Sequence, residues 1–173
     1  MKTIKLEVKQ EVNESGQLIR EQYLLNGDLH NEYGPAFRRW KESGQLVQES
    51  HWLNDKLHNE SGPAYRAWDE SGELIFETYW LNGKRHNENG PAIRSYYNSG
   101  LLSYESYCLN DQYHNEHGPA IREWKESGQL KYEEYYLNGT QLTTEEWERR
   151  VNSASCLGKV ITVDGRQYTL EAV

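Results

Sequence analysis

The chain has 173 residues and a formal charge of −8, and its 36% hydrophobic content includes 13 Tyr and 6 Trp but only two Phe and one Met. So lean an apolar set argues against a thick globular core and suits a half-exposed sheet, whose flat aromatic side chains keep a polar tip in water. The charge disfavours binding to nucleic acid or to anionic lipid, which needs clustered Lys and Arg, and points instead to a partner protein with a basic surface.

From the N-terminus, Ile4, Leu6, Val8 and Val12 alternate with Lys5, Glu7 and Lys9. This period predicts a strand with one buried face, and residues 1–12 are expected to cap the array that starts at residue 13. Residues 13–139 repeat every 28 residues. The most specific stretch, His-Asn-Glu-x-Gly-Pro-Ala, begins at His30, His58, His86 and His114. A Leu-Asn-Gly or Leu-Asn-Asp begins at Leu25, Leu53, Leu81, Leu109 and Leu137, and Ser-Gly-x-Leu at Ser15, Ser43, Ser71, Ser99 and Ser127. A fixed period of this kind marks an array in which each unit stacks on the next to bury its apolar face.

Each unit reads as two strands. The first follows the proline, as in Ala36 to Trp40, Ala64 to Trp68, Ala92 to Tyr96 and Ala120 to Trp124; proline is tolerated where a strand begins. Ser-Gly turns the chain, and a second strand of eight residues runs from Leu18, Leu46, Leu74, Leu102 and Leu130. A turn centred between Ser43 and Gly44 sets Arg38 opposite Glu49, Trp40 opposite Val47 and Ala36 opposite His51. The same arithmetic pairs Arg66 with Glu77, Arg94 with Glu105 and Arg122 with Glu133, a ladder of structural cross-strand ion pairs. Asn-Gly or Asn-Asp then leads through the His-Asn-Glu-x-Gly loop to the next unit. Ten such strands would make a sheet about 45 Å long.

Residues 140–173 leave the pattern. Thr143 to Trp147 carries a Thr-x-x-Glu capping box, so Glu145 to Val151 is predicted as a short helix packing Trp147 and Val151 on the last repeat. Asp164-Gly165 between Lys159–Val163 and Arg166–Leu170 predicts a closing hairpin. The fold class expected is mainly β: an elongated single-layer antiparallel sheet of tandem hairpins with a C-terminal helix and hairpin cap. Cys108 takes a repeat position held elsewhere by Leu24, Trp52, Trp80 and Tyr136, and Cys156 lies beyond the array, so two reduced thiols are expected rather than a disulfide. No signal-like apolar core follows Met1, and no run of about 18 apolar residues occurs. A soluble, cytoplasmic protein, with no membrane partner, is the expectation.

At Tyr79-Trp80-Leu81-Asn82-Gly83-Lys84-Arg85-His86, followed by Gly90, Tyr96 and Gly100, the chain resembles the MORN-repeat superfamily, over roughly residues 13 to 139. Its 28-residue unit is longer than the family's, and Gly-Pro-Ala stands where the family has Gly-x-Gly; it looks most like the long variant of bacterial and phage proteins, including antitoxin-like ones. The resemblance implies stacked hairpins and a non-catalytic binding scaffold.

The four repeat histidines invite a metal or catalytic reading, but equivalent residues two strands apart lie about 9 to 10 Å from each other, whereas zinc ligands sit about 2 Å from the ion. A turn-stabilising role is expected for them, and a loop-capping one for Glu32, Glu60, Glu88 and Glu116. Neither a phosphate loop nor Cys-x-x-Cys, His-Glu-x-x-His or a nucleophile elbow occurs, so neither catalysis nor a cofactor is expected. Fixed columns build the frame; columns that drift between units are the candidates for recognition. These are Phe37, Tyr65, Ile93 and Ile121, with Gln48, Phe76, Tyr104 and Tyr132, and Trp52 and Trp80. Such an aromatic stripe suits a protein contact or a homodimer. The function expected is to bind and block a partner, as an antitoxin or a phage-encoded anti-defence inhibitor such as an anti-CRISPR would. Mimicry of nucleic acid by spaced carboxylates, and passive scaffolding, are the alternatives.

Overall fold

A computed structural model describes residues 5–156, 160–163 and 166–169. Over the described residues the chain forms a long antiparallel sheet of consecutive hairpins and one helix. It opens with β1 (Leu6–Val12), β2 (Leu18–Leu25) and β3 (Asp28–Leu29). Three four-strand units come next: β4 to β7 (Phe37–Trp40, Leu46–Ser50, Trp52–Leu53, Lys56–Leu57), β8 to β11 (Tyr65–Trp68, Leu74–Thr78, Trp80–Leu81, Lys84–Arg85) and β12 to β15 (Ile93–Tyr96, Leu102–Ser106, Cys108–Leu109, Gln112–Tyr113). The array closes with β16 (Ile121–Trp124), β17 (Leu130–Leu137), β18 (Thr140–Leu142) and α1 (Thr144–Cys156). The main sheet has the order β1-β2-β4-β5-β8-β9-β12-β13-β16-β17-β18, with β3 on β2. β19 (Val160–Val163) and β20 (Arg166–Thr169) pair with each other; the expected turn at Asp164-Gly165 lies outside the described residues, as does Ile4.

The Ser-Gly turns explain the register. Gly44 donates to the Lys41 carbonyl and Lys41 to the Gln45 carbonyl, both at 2.9 Å, with Gly44 at φ 87°. That is a type I turn closed by a left-handed residue, a place for glycine, and a separate bulge follows three residues on. Arg38 accordingly faces Glu49, but the register shifts after Arg39 and Trp40 faces Leu46. The expected pairing of Trp40 with Val47 is therefore corrected: Val47 is the extra residue of the bulge. Ile75, Ser103 and Lys131 hold the same place in later hairpins.

Two further corrections concern strand continuity. The predicted eight-residue second strand is unbroken in β2 and β17 but interrupted at His51, Tyr79 and Tyr107 in the three units between. There the chain leaves the main sheet for a short hairpin. Its Asn-Gly or Asn-Asp turn has both residues left-handed, as at Asn54 (φ 52°) and Asp55 (φ 58°), which is the twist-matched type I′ turn. The two-residue returning strands β7, β11 and β15 were not expected from the sequence. Second, β1 pairs along β2, yet it has no buried apolar face: Leu6, Val8 and Val12 are 76%, 53% and 56% exposed. A buried face needs a layer to cover it, and none of the described residues supplies one.

What is buried is a thin seam. Ala36, Ala64, Ala92 and Ala120 are fully buried, each tied by its N–H to the second strand of its own hairpin and by its carbonyl to the preceding one, as in Ala92 to Ser106 and Tyr79 to Ala92. A small side chain is what lets the His-Asn-Glu-x-Gly-Pro loops lie close to the sheet. In each loop the Asn side chain donates to the Pro carbonyl four residues on and accepts from the N–H two residues on, as Asn87 does with Pro91 and Asn89. At the C-terminal end Thr143 and Glu146 form the reciprocal capping box, at 2.9 and 3.2 Å. The helix runs beyond the expected Val151 to Cys156. Trp147 stacks on Tyr135 and donates to the Asn115 carbonyl at 2.9 Å.

Candidate functional site

The sheet alternation sorts side chains onto two faces, because directly opposed residues of antiparallel strands point the same way. One face carries the ladder. Arg38, Arg66, Arg94 and Arg122 lie in register with the glutamates on both neighbouring strands, Arg66 for instance with Glu49 and Glu77. The close ion pairs go backwards across the seam between hairpins: Arg38 to Glu21, Arg66 to Glu49, Arg94 to Glu77 and Arg122 to Glu105, at 2.9 to 3.1 Å. The expected opposition within each hairpin holds as register, but among the described residues only Arg122 also comes within ion-pair reach of its own hairpin's glutamate, Glu133 at 4.0 Å; the close pairs stitch one unit to the next. Each carboxylate they use is largely buried.

The repeat histidines do similar work. The Nδ1 atoms of His58, His86 and His114 accept from the backbone N–H of Asn82, Asn110 and Asn138 in the following unit, at 3.1 to 3.3 Å, and His30 Nδ1 lies 3.3 Å from the Asn54 backbone nitrogen and 3.1 Å from its Oδ1. Their Nε2 atoms face Glu32, Glu60, Glu88 and Glu116 at 3.4 to 3.7 Å. No group of three or more potential metal ligands occurs among the described residues.

His51 sits in a column otherwise held by Tyr23, Tyr79, Tyr107 and Tyr135. Burial, joined by Arg66 and Arg38 and opposed by Glu49, lowers its pKa below the ordinary 6.5. The unfolded chain therefore takes up this proton first as the pH falls below 6.5, and folding stability drops until the folded pKa is passed. Above 6.5 the group contributes no slope. His51→Tyr is expected to gain melting temperature relative to the parent as the pH falls through that window, a comparison thermal denaturation at several pH values measures directly.

The other face is aromatic and holds every predicted recognition residue. Phe37 and Tyr65 both oppose Ser50, and Ile93 opposes Thr78 and Ser106. Gln48, Phe76, Tyr104 and Tyr132 form the next row on the same face, opposite Arg39, Ala67, Ser95 and Glu123. Trp52 joins them by donating from Nε1 to Ser50 Oγ at 2.7 Å, as Trp80 does to Thr78 Oγ1 at 2.6 Å. From Phe37 on β4 to Tyr132 on β17 is seven strand spacings, about 34 Å, so these residues form a stripe and not one pocket. Tyr65 and Phe76 meet edge to face with centroids 5.9 Å apart. With Leu57, Thr78, Trp80, Arg85, Ile93 and Asp111 they line a shallow depression of about 710 Å³.

Leu57, Arg85, Asp111 and Tyr113 are additions that the sequence reading missed. They come from the unforeseen returning strands and their turns: Leu57 opposes Trp52, Arg85 opposes Trp80 and Tyr113 opposes Cys108. The signal was the Asn-Gly or Asn-Asp pair itself, a hairpin cue even between short arms. Asp111 accepts from both the backbone and the Nε of Arg85 at 3.0 Å, and the Arg85 guanidinium lies 5.9 Å from the Tyr113 ring centroid. Tyr113 also packs on Tyr136, at 5.3 Å. Beside Tyr113 and Tyr132, burial pushes the Tyr104 hydroxyl up to about 12, so near neutral pH it keeps its proton and offers a donor.

One row shows how frame and stripe are coupled. In the third unit Cys108 replaces tryptophan, and the fully buried Ser106 Oγ loses the indole donor, keeping only the Tyr104 hydroxyl and the Cys108 thiol beside it, neither in good hydrogen-bond geometry. Ser50→Ala should therefore cost about 1 to 2 kcal/mol by orphaning the Trp52 N–H, whereas Ser106→Ala should be near neutral. Urea denaturation of the two variants checks the contrast.

No helix among the described residues is long and apolar enough to cross a membrane. Compared with known proteins, the chain matches no family model, no curated protein and no solved structure.

Proposed function

We propose that this chain is a non-catalytic binding protein that docks a partner protein on its aromatic face and thereby blocks or sequesters it, in the manner of an antitoxin or an anti-defence inhibitor. The observation that carries the reading is the division of labour between the faces. Columns repeated in every unit form bonds within and between units, while the columns that vary lie together as an aromatic stripe, half-exposed through its middle and buried at Cys108 and Ile121. Stripes of this composition, with an arginine at the rim, are where protein interfaces concentrate their binding energy. The stacked hairpins also support reading the units as a long variant of the MORN repeat.

A second reading has its own observation. Glu32, Glu60, Glu88 and Glu116 project from the loops with side chains 62%, 81%, 76% and 66% exposed, a periodic acidic row that would suit a basic nucleic-acid channel. The two readings respond differently to salt. With the chain immobilised, a partner captured from source-cell lysate should stay bound as salt is raised and be lost with Trp52→Ala and Trp80→Ala. Release by salt, competition by nucleic acid and indifference to the tryptophans would favour the acidic mimic.

A further inference from the structure

The two ends of the ladder differ. At the N-terminal end the arginine position is taken by Gln10, whose amide donates to Glu21 at 2.8 Å, so no arginine is left waiting there for a glutamate. At the C-terminal end no described strand lies beyond β17 opposite Glu133. Its neighbours are the Tyr135 hydroxyl at 3.0 Å and Arg122 Nε at 4.0 Å. Its side chain is 36% exposed, against 9% to 16% for Glu21, Glu49, Glu77 and Glu105. Among the described residues nothing pairs with the outer edge of β17 from Leu130 to Glu134.

We propose that this edge takes an extended basic segment of another protein as an added antiparallel strand, with an arginine of that segment opposite Glu133. The fold shows the complement at each seam of its own interior, where an arginine strand lies on a glutamate edge. One unit back, β16 lies on the equivalent edge of β13, with Tyr104 opposite Glu123, Glu105 opposite Arg122 and Ser106 opposite Ile121. Shifted by one repeat, the waiting row is Tyr132, Glu133 and Glu134. Glu134 stands where the preceding unit has Ser106, so the row asks for more positive charge than β16 carries. On α1 the exposed Glu145, Glu146 and Glu148 stand beside exposed Arg149 and Arg150, so the negative charge of this edge rests on Glu133 and Glu134. Strand addition supplies affinity through main-chain bonds and specificity through facing side chains. Charges on an edge strand repel unsuitable strands and leave a complementary one favoured.

A second copy of this chain fits less well. Continuing the array with its β1 would set Gln10 opposite Glu133 and Glu11 opposite Tyr132. The segment before Val8 would also fall where α1 begins, because Leu142 holds the repeat position of His114. The helix thus ends the array while leaving a short stretch of edge open. This surface is separate from the depression at Tyr65 and Phe76, and stands whether or not that face binds.

The test uses the full chain, ¹⁵N-labelled, and two synthetic peptides: one with the β16 sequence made basic by lysine in place of its glutamate, Pro-Ala-Ile-Arg-Lys-Trp, and one with the arginine of that peptide replaced by glutamate. The arginine peptide should shift amides of residues 130–135, and the glutamate peptide should bind at least about tenfold more weakly. Glu133→Lys should reverse that order. Equal binding of the two peptides, shifts centred on β1, or no shifts at all would overturn the proposal. So would sedimentation showing that the chain alone self-associates in a way that Glu133→Lys abolishes, since the edge would then belong to a second copy. If Glu133→Lys does not fold, the comparison of peptides on the unaltered chain still decides.

Discussion

Arg94→Ala is expected to cost about 2 to 3 kcal/mol, less than the about 3 to 5 kcal/mol for removing one partner of a fully buried ion pair, because about a third of the arginine side chain remains open to water. At this chain length that corresponds to a fall of about 5 to 10 °C in Tm. The reason is the glutamate left behind: Glu77 is 9% exposed in its side chain, and without its arginine it must either hold an uncompensated charge or take a proton. Lys56→Ala, at an exposed position of a short hairpin, should change stability by less than about 0.5 kcal/mol. A double-mutant cycle adds the direction of the ladder. Arg94 should couple strongly to Glu77 across the seam and weakly to Glu105 in its own hairpin, although both are in register with it. Equal melting of Arg94→Ala and Lys56→Ala, or stronger coupling to Glu105, would contradict this account of how units are joined.

The second large effect concerns recognition. Tyr65→Ala combined with Phe76→Ala should weaken partner binding by at least about 30-fold, the equivalent of about 2 kcal/mol, while circular dichroism shows the sheet intact. These two rings are better probes than the tryptophans, because Trp52 and Trp80 also hold hydrogen bonds to Ser50 and Thr78 that stabilise the frame. Arg85→Ala should be intermediate, since its guanidinium is held by Asp111 and packed near Tyr113, and so presents a charge already fixed in place. Unchanged affinity in the Tyr65/Phe76 variant would move recognition off this face.

Period and alternation made most of the sheet legible. They gave the hairpins, the opposition of Arg38 and Glu49 and the set of residues sharing the aromatic face, since a strand's side chains alternate whatever its neighbours do. What they could not give is set by geometry between units. Arg66 has a glutamate in register on each side, and only three-dimensional packing decides that the close partner is Glu49 rather than Glu77. The displacement of Trp40 stems from one bulged residue, a detail that residue counting through the turn passes over. The exposure of Leu6, Val8 and Val12 shows the limit of periodicity: alternation says which residues share a face, but burial depends on whether anything lies over it. The returning strands with Leu57, Arg85 and Tyr113 were missed because two-residue strands have no period of their own. Their cue was the Asn-Gly turn, a hairpin signal even between such short arms.

The claim at the centre is that the columns which vary between units meet the partner while the repeated ones hold the units together. Site-specific photo-crosslinking from positions on the two faces tests it most directly, with a crosslinking residue placed in turn at Phe37, Tyr65 and Tyr104 and at Glu32, Glu60 and Glu88 in source-cell lysate. One discrete protein adduct, resistant to salt, is predicted from the first three positions and none from the second three. Adducts from the glutamate positions alone, lost as salt is raised, would contradict it.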